Sequence, residues 1–413
     1  MKKRIVLLLI VGLLACGVLW AGGSQEDSDT LLVSRWAGPH ADYQKQIAQE
    51  YPTADVVIDD IDYGSLKQKQ ITSFQSSKGT GNYDVVWVNI KWMKEYVDAG
   101  YLMPLDDMIA DSDLDTDIYA KGMLEGTQYY GKTYGLPTFA QCLMLVYDEA
   151  AFEENDLEVP QNSAELVEAA KYFKENEDSG IAIPAKQGGA AVTLYSQLMF
   201  ANGGYYFDED GQLDLLSDAS LNAAKTYDQL AKYSVTGSKA WHHDEVAEAV
   251  RTEVAPIGTV ISGLANQNHN PKLSQIVDTV AYAPISGEDG AVAANNAFWV
   301  WAVAKNANNP EEAFKFVRWI TSPKIEKKQT LENQQISAIT SLSEDPEVLE
   351  VTPFLPVVME QLAAGKVDPL TKNFKQLQDE LIVGLSEIAT TDAEPKEVLS
   401  RIQEKLKDVD FSQ

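Results

Sequence analysis

Hydrophobic and polar positions along the first hundred residues follow two alternating periods. The stretch 30–36, "TLLVSRW", is a short apolar run that reads as a strand. In "DYQKQIAQEY" (42–51), Tyr43, Ile47 and Tyr51 recur on one face of a helix. The pattern then repeats: "DVVID" (55–59) as a strand, "LKQKQITSF" (66–74) as a helix, and "YDVVWVN" (83–89) as a strand. The last is almost continuously apolar, as expected of a strand covered on both faces. "WMKEYVDAGYL" follows as a helix, with Gly100 placed to end it in a left-handed turn. The order βαβαβ predicts a doubly wound α/β layer.

A second region of the same kind begins near "CLMLVYD" (142–148). Asn162 and Glu165 are spaced as an N-cap pair for the helix "AELVEAAKYFKE". "GIAIP" (180–184) and "TVAYAPI" (279–285) read as strands. "AVTLYSQLMFANGG" reads as a helix stopped by Gly203 and Gly204, and "YFDEDGQLDL" as an Asp-Gly hairpin. Helices follow over 218–233, 243–253 and 309–320, the last opened by Pro310, and in the tail from Asp345 onward. No repeat of solenoid period occurs.

"NNAFWVWAVA" (295–304) ends in a strand, "WVWAVA". Period two puts Phe298, Val300 and Ala302 on one face and Trp299, Trp301 and Val303 on the other. Trp301 lies inside the strand and belongs to the core, as does Trp87. Asn296, Phe298 and Trp299 lie at its start. Trp299 is expected to offer a wall for ring stacking, so that its loss weakens binding more than stability.

A chain of 413 residues is long enough for two domains. Its net charge of −29 argues against nucleic acid or an anionic membrane surface as partner. The N-terminus reads as an export signal: Lys2, Lys3 and Arg4 precede the apolar run Ile5–Leu14. Three outcomes fit it: cleavage after Ala21, lipidation at Cys16 within "LLAC" (leaving 1–15 as the leader), or an uncleaved anchor. Past the leader only Cys142 remains, which excludes an internal disulfide.

Catalytic signatures are sparse. There is no Gly-x-Ser-x-Gly turn and no phosphate-binding loop, and "KGTGNYD" (78–84) reads as a turn. His242 and His243 are adjacent rather than at metal-ligand spacing, and "DSDLDTD" (111–117) lacks the later calcium ligands. No metal and no cofactor are expected. A glycoside hydrolase needs only two placed carboxylates, so it stands as the enzymatic alternative.

Ligands of doubly wound sheets bind beyond the carboxyl ends of strands. Those positions hold Gly38, His40 and Asp42, then Tyr63, then Asn89, Lys91 and Trp92. Hydrogen-bonding groups beside a flat ring suit a sugar, whose hydroxyls want polar partners and whose C–H face wants an aromatic. Trp241, before the "HHDEVAEAV" helix, is either a cleft residue or a helix cap. Of Tyr205 and Tyr206, one is expected in the core and the other in the cleft.

Four blocks, in order, resemble the family 1 extracellular solute-binding proteins of ABC importers, the carbohydrate-binding group. They are "YDVVWVN…WMKEYVDAGYLMPLDD" (83–107), "YYGKTYGLPTFAQCLMLVYDEAAFEE" (129–154), "FANGGYYFDEDGQLDL" (200–215) and "NNPEEAFKFVRWITSP" (308–323). The resemblance implies an α/β fold of two lobes joined by a hinge, each a doubly wound sheet flanked by helices. Lobe one would take about 30–139 plus 292–335, and lobe two about 140–291 plus 336–413. It implies a carbohydrate ligand in the cleft, closure by hinge motion, and delivery to permease subunits coupled to an ATPase, with the binding protein monomeric. It adds Phe139, Gln141 and Thr193 to the candidate ligand contacts. The chain departs from the maltose-binding members at four places. Gln141 replaces an acid, Lys91 and Trp92 replace an Asp-Arg pair, Ala191 and Thr193 replace an acid and a Tyr, and Val260 replaces an aromatic. These departures put maltose itself in question, and a non-sugar ligand remains an alternative.

Overall fold

The structure, a computed structural model, describes residues 30–38, 40–76, 81–369, 371 and 373–412. The export leader, with Cys16, and part of the 78–84 turn lie outside the described residues.

The first sheet has the order β2-β1-β3-β11-β6. Strand β1 (Thr30–Trp36) pairs in parallel with β2 (Asp55–Ile61) and with β3 (Val85–Asn89). Helices α1 (Ala41–Ala48), α2 (Tyr63–Gln75) and α3 (Ile90–Asp98) follow these strands in turn. Val85 to Val88 are fully buried, as the continuous apolar run predicts. Gly100 ends the α3 region at φ 68°, a conformation that glycine adopts without penalty.

The chain next forms a small hairpin, β4 (Gln128–Tyr129) and β5 (Lys132–Thr133), and then β6 (Leu136–Gln141). Strand β7 (Leu143–Asp148) starts one residue later in a different sheet, together with β8 (Ile181–Ala182), β9 (Ile257–Ile261) and β10 (Val280–Ala283), in the order β10-β7-β9-β8. Both sheets are mixed. β7 runs antiparallel to β9 and β10, while β11 (Ala297–Val303) returns to the first sheet antiparallel to β3 and β6.

The chain therefore crosses between the sheets at Cys142, again over 284–296, and a third time beyond 361. The crossings are laced together by backbone bonds: Ala294 N donates to Gln361 O at 2.9 Å, Asn296 N to Lys366 O at 2.8 Å, and Lys366 N to Ala294 O at 3.0 Å. Residues 336–363, grouped with lobe two on sequence, pack on the first sheet's side. Ala120 N donates to Ala338 O and Ala140 N to Ile336 O, and the Leu355–Ala363 helix rests on the Lys121–Gly126 helix. Only the last two helices, Phe374–Thr390 and Pro395–Leu406, pack with lobe two. The tail is helical on both sides of a non-helical stretch at 364–369, and helical periodicity does not tell which lobe a helix rests on.

Candidate functional site: an inter-lobe cleft

The carboxyl ends of β1, β2, β3 and β6 and the start of β11 share one edge of the first sheet. Across the crossings they face the ends of β8 and β9 and the turn Ser262–His269. On the first-lobe side this edge carries an aromatic cluster. Trp36 and Trp299 stack at 5.5 Å and 13°, and Trp299 stacks on Trp87 at 4.3 Å and 17°. The Arg35 guanidinium lies 4.7 Å from the Trp87 ring, and burial lowers it to about 10 despite Asp60. Tyr63 meets Trp36 and Trp299 edge-on, and Trp92 meets Trp299 edge-on at 5.8 Å.

Trp299 is thus covered on both faces and only 5% exposed. It is a packing residue at the bottom of the wall and not the open stacking face expected from its place at the strand start. The rings available to a ligand are Tyr63, 45% exposed, with half-buried Trp92 and Trp36. Gly38 makes this arrangement fit, because a Cβ there would fall 2.3 Å from the Trp36 indole.

Polar groups stand beside the rings. Asn89 caps α3, its Oδ1 accepting from Lys91 N at 3.0 Å. Lys91 reaches out of the first turn to Asp368, with Nζ 3.1 Å from Oδ2. The attraction of Asp368 is the main cause holding the Lys91 ammonium above its ordinary value, against desolvation, with a smaller contribution from Tyr63. Asp368 is 4% exposed and also accepts from Asn295 Nδ2 at 2.9 Å.

Two cavities open on either side of this acid. One, of about 610 Å³, is lined by Lys91, Lys94 and Asp368 with Thr371, Phe374 and Gln378. The other, of about 620 Å³, is lined by Lys94, Tyr129, Tyr130, Tyr205, Lys366 and Asp368 among others. Both volumes suit a small-molecule site. Tyr206 is in the core and Tyr205 lines the second cavity, donating to Val367 O at 2.9 Å.

At the other rim, His40 caps α1 in a left-handed conformation, φ 67°, unusual for a residue with a side chain. Its Nδ1 lies 2.8 Å from Asn333 Nδ2, and burial lowers its basicity below the usual value against the opposing pull of the Asn333 bond. Its ring meets Phe139 edge-on at 5.3 Å, and Phe139 is buried. Gln141 is half-buried, with its amide against the lobe-two turn: a Cβ on Gly263 would fall 2.1 Å from its Nε2. Asp42 is exposed on α1.

The remaining sequence candidates lie elsewhere. Asn296 and Phe298 are 1% exposed in the hinge seam. Asn296 Nδ2 donates to Leu362 O at 3.2 Å, and Phe298 lies against Gly126. Neither therefore opens to the cleft. Thr193 donates to Gly189 O within its own helix, and Trp241 packs over Gly237 beside the chain that leaves β8. Neither touches the two cavities beside Asp368. Sequence reasoning missed Asp368, Thr371, Phe374 and Gln378, which lie in and after a loop-like "VDPLTKN" with no motif to flag it.

The hinge is held by buried amides. Gln197 Nε2 donates to Leu143 O at 2.7 Å and to Gln361 Oε1 at 2.9 Å, and Ile285 N donates to the same Gln361 oxygen at 2.9 Å. Gln361 Nε2 donates to Leu143 O at 3.1 Å and lies 3.6 Å from Cys142 Sγ. All three crossings thus meet at Gln361. Burial raises the Cys142 thiol well above its ordinary range.

A two-lobe α/β architecture with a lined cleft between laced crossings is that of a solute-capturing receptor. The family model for bacterial extracellular solute-binding proteins matches residues 37–327, and the chain belongs to that family. A protein of Sinorhizobium fredii, described as a probable amino-acid ABC transporter periplasmic-binding protein, is 26% identical over 84% of this chain and 80% of its own. Among solved structures, an ABC transporter solute-binding protein of Agrobacterium radiobacter in complex with ribitol superposes with a TM-score of 0.74. It is 24% identical and covers 93% of this chain and 99% of its own. The sugar-binding protein MalE of Xanthomonas citri reaches 0.80 at 15% identity, over 92% of this chain and 96% of its own.

Proposed function

We propose that this protein is the exported, non-catalytic binding component of an ABC importer, and that it captures a sugar or polyol in the inter-lobe cleft. The observation that carries the reading is the juxtaposition of open aromatic rings, Tyr63 and Trp92, with a polar pair of zero net charge, Lys91 and Asp368. An aromatic face binds the C–H face of a polyol, and the neutral pair serves its hydroxyls without demanding a charged ligand. The ligand-bound form, with both lobes engaged, would be the one presented to the permease.

The likeness to the ribitol-bound structure supports a polyol, and the description of the Sinorhizobium relative supports an amino acid as second reading. Calorimetric titration against pentitols, hexitols, mono- and disaccharides and the amino acids separates the two. Heat from an amino acid alone overturns the sugar reading. A reducing-sugar assay on oligosaccharides checks the non-catalytic claim, since release of product would return the glycosidase alternative. Intact mass of membrane-derived protein distinguishes cleavage after Ala21 from a lipid on Cys16.

A further inference from the structure

The acid at the junction of the two cavities bears on which hydroxyls the site recognises, an inference that rests on the sugar-or-polyol reading. Asp368 is almost fully buried, yet it borders both cavities. Its side-chain partners among the described residues are Asn295 Nδ2 on one oxygen and Lys91 Nζ on the other. A carboxylate offers about four acceptor sites, so roughly half its capacity remains for a ligand. Lys91 uses one of its three donors on Asp368 and is 44% exposed. The two groups come from distant parts of the chain. Lys91 belongs to the first turn of α3, whereas Asp368 follows the crossing segment 366–367, which bonds to lobe two through Lys366 Nζ to Gly204 O at 2.9 Å and Tyr205 to Val367 O, and packs Val367 against Gly126 of lobe one.

We propose that Asp368 and Lys91 together form a vicinal-diol subsite. One ligand hydroxyl donates to Asp368, and its neighbour accepts from Lys91. The pair lies 3.1 Å apart, close to the spacing at which two adjacent hydroxyls can each reach one partner. Asn295 fixes the carboxylate in place, and the pair's neutrality rejects ligands of net charge.

The test is a cycle between protein and ligand. Ribitol, D-mannitol and maltose are titrated into wild type, D368N and K91Q, together with the corresponding deoxy analogues. Thermal unfolding of the ligand-free proteins checks that each variant folds. For whichever ligand binds, each variant is expected to weaken affinity about 10- to 100-fold. The deoxy analogue that lacks the recognised hydroxyl should bind wild type correspondingly worse, yet bind D368N no worse than the parent ligand does. A purely structural pair would lower both affinities alike and keep the deoxy penalty. That result, or an affinity in D368N within twofold of wild type, overturns the proposal. If D368N does not fold, K91Q, altered at a partly exposed side chain, carries the same cycle. If wild type binds none of the three, the cycle is run on whichever sugar or polyol of the wider panel binds, and binding of none of that panel overturns the sugar reading and this subsite with it.

Discussion

The two walls of the cleft are built by different means. The first-lobe wall is aromatic and packed into its own core: Trp87, Trp299 and Trp36 form a pile, and Tyr63 and Trp92 stand at its open end. The wall beyond the crossings is polar and irregular, made of Asp368, Thr371 and Gln378 with Phe374. Rings that belong to a core are held by packing and keep their place without a ligand. The polar segment is instead held by single hydrogen bonds, such as Asn295 to Asp368. The first wall should therefore respond to mutation in stability, and the second in affinity.

The sharpest check on that division is W299A. With both indole faces covered, this change should lower stability by about 3–5 kcal/mol in urea unfolding, the usual range for a large aromatic removed from a core. A small stability loss with a large affinity loss would return Trp299 to the ligand.

Glu326 tests the packed side through pH. It is buried beneath β6, its Oε1 accepting from Thr138 Oγ1 at 2.7 Å, and burial pushes its carboxyl up to about 7 from 4.5. Between these values the folded state holds a proton that the unfolded state has lost. The contribution is thus complete below about pH 4.5 and is lost as pH rises towards 7. Its size is on the order of 3 kcal/mol. His243 acts in the opposite sense: burial lowers it to about 4, so its contribution is present above 6.5 and is lost as pH falls towards 4. The quantity to measure is therefore the stability difference between wild type and E326Q across pH 4 to 8, in which the His243 effect cancels. A flat difference would contradict the assignment.

Where the walls meet, Q361L should cost about 2 kcal/mol, because it strands the buried Ile285 N and removes the second bond at Leu143 O and at Gln197 Nε2, which keep only each other. At the open end of the pile, Y63A is expected to leave the melting temperature nearly unchanged, since the ring is 45% exposed. It should weaken polyol binding about 10-fold by calorimetry. The smallest effect belongs to T193A, which removes only a bond within its own helix. Stability should stay within about 0.5 kcal/mol and affinity should not change.

Much of the frame was legible before any coordinates. The strand at 30–36, the cap at Asn162, the Pro310 helix start and the buried Trp87 and Trp301 all appear where local pattern placed them. Each depends on neighbours within a few residues, which periodicity reports. The family blocks likewise pointed to the two-lobe fold that the solved relatives share. The site was less legible. Tyr63, Lys91 and Trp92, expected at the cleft because they follow strands of a doubly wound sheet, do lie together at its carboxyl edge. Asn296 and Phe298 were misplaced because proximity to a crossover does not say whether a side chain enters the seam or the cleft.

By itself, the sequence determined the alternation of strands and helices and the strand ends at which a ligand site can form, while the two-lobe class came from the family resemblance. The first two follow from periods of two and 3.6 residues and from chain order. Tertiary structure alone decided which rings stay open and which acid Lys91 meets. Trp36 and Trp87 cover the two faces of Trp299, and Lys91 meets Asp368, across separations of more than two hundred residues. Exposure is a property of what packs on a side chain, and no local pattern encodes a neighbour that distant.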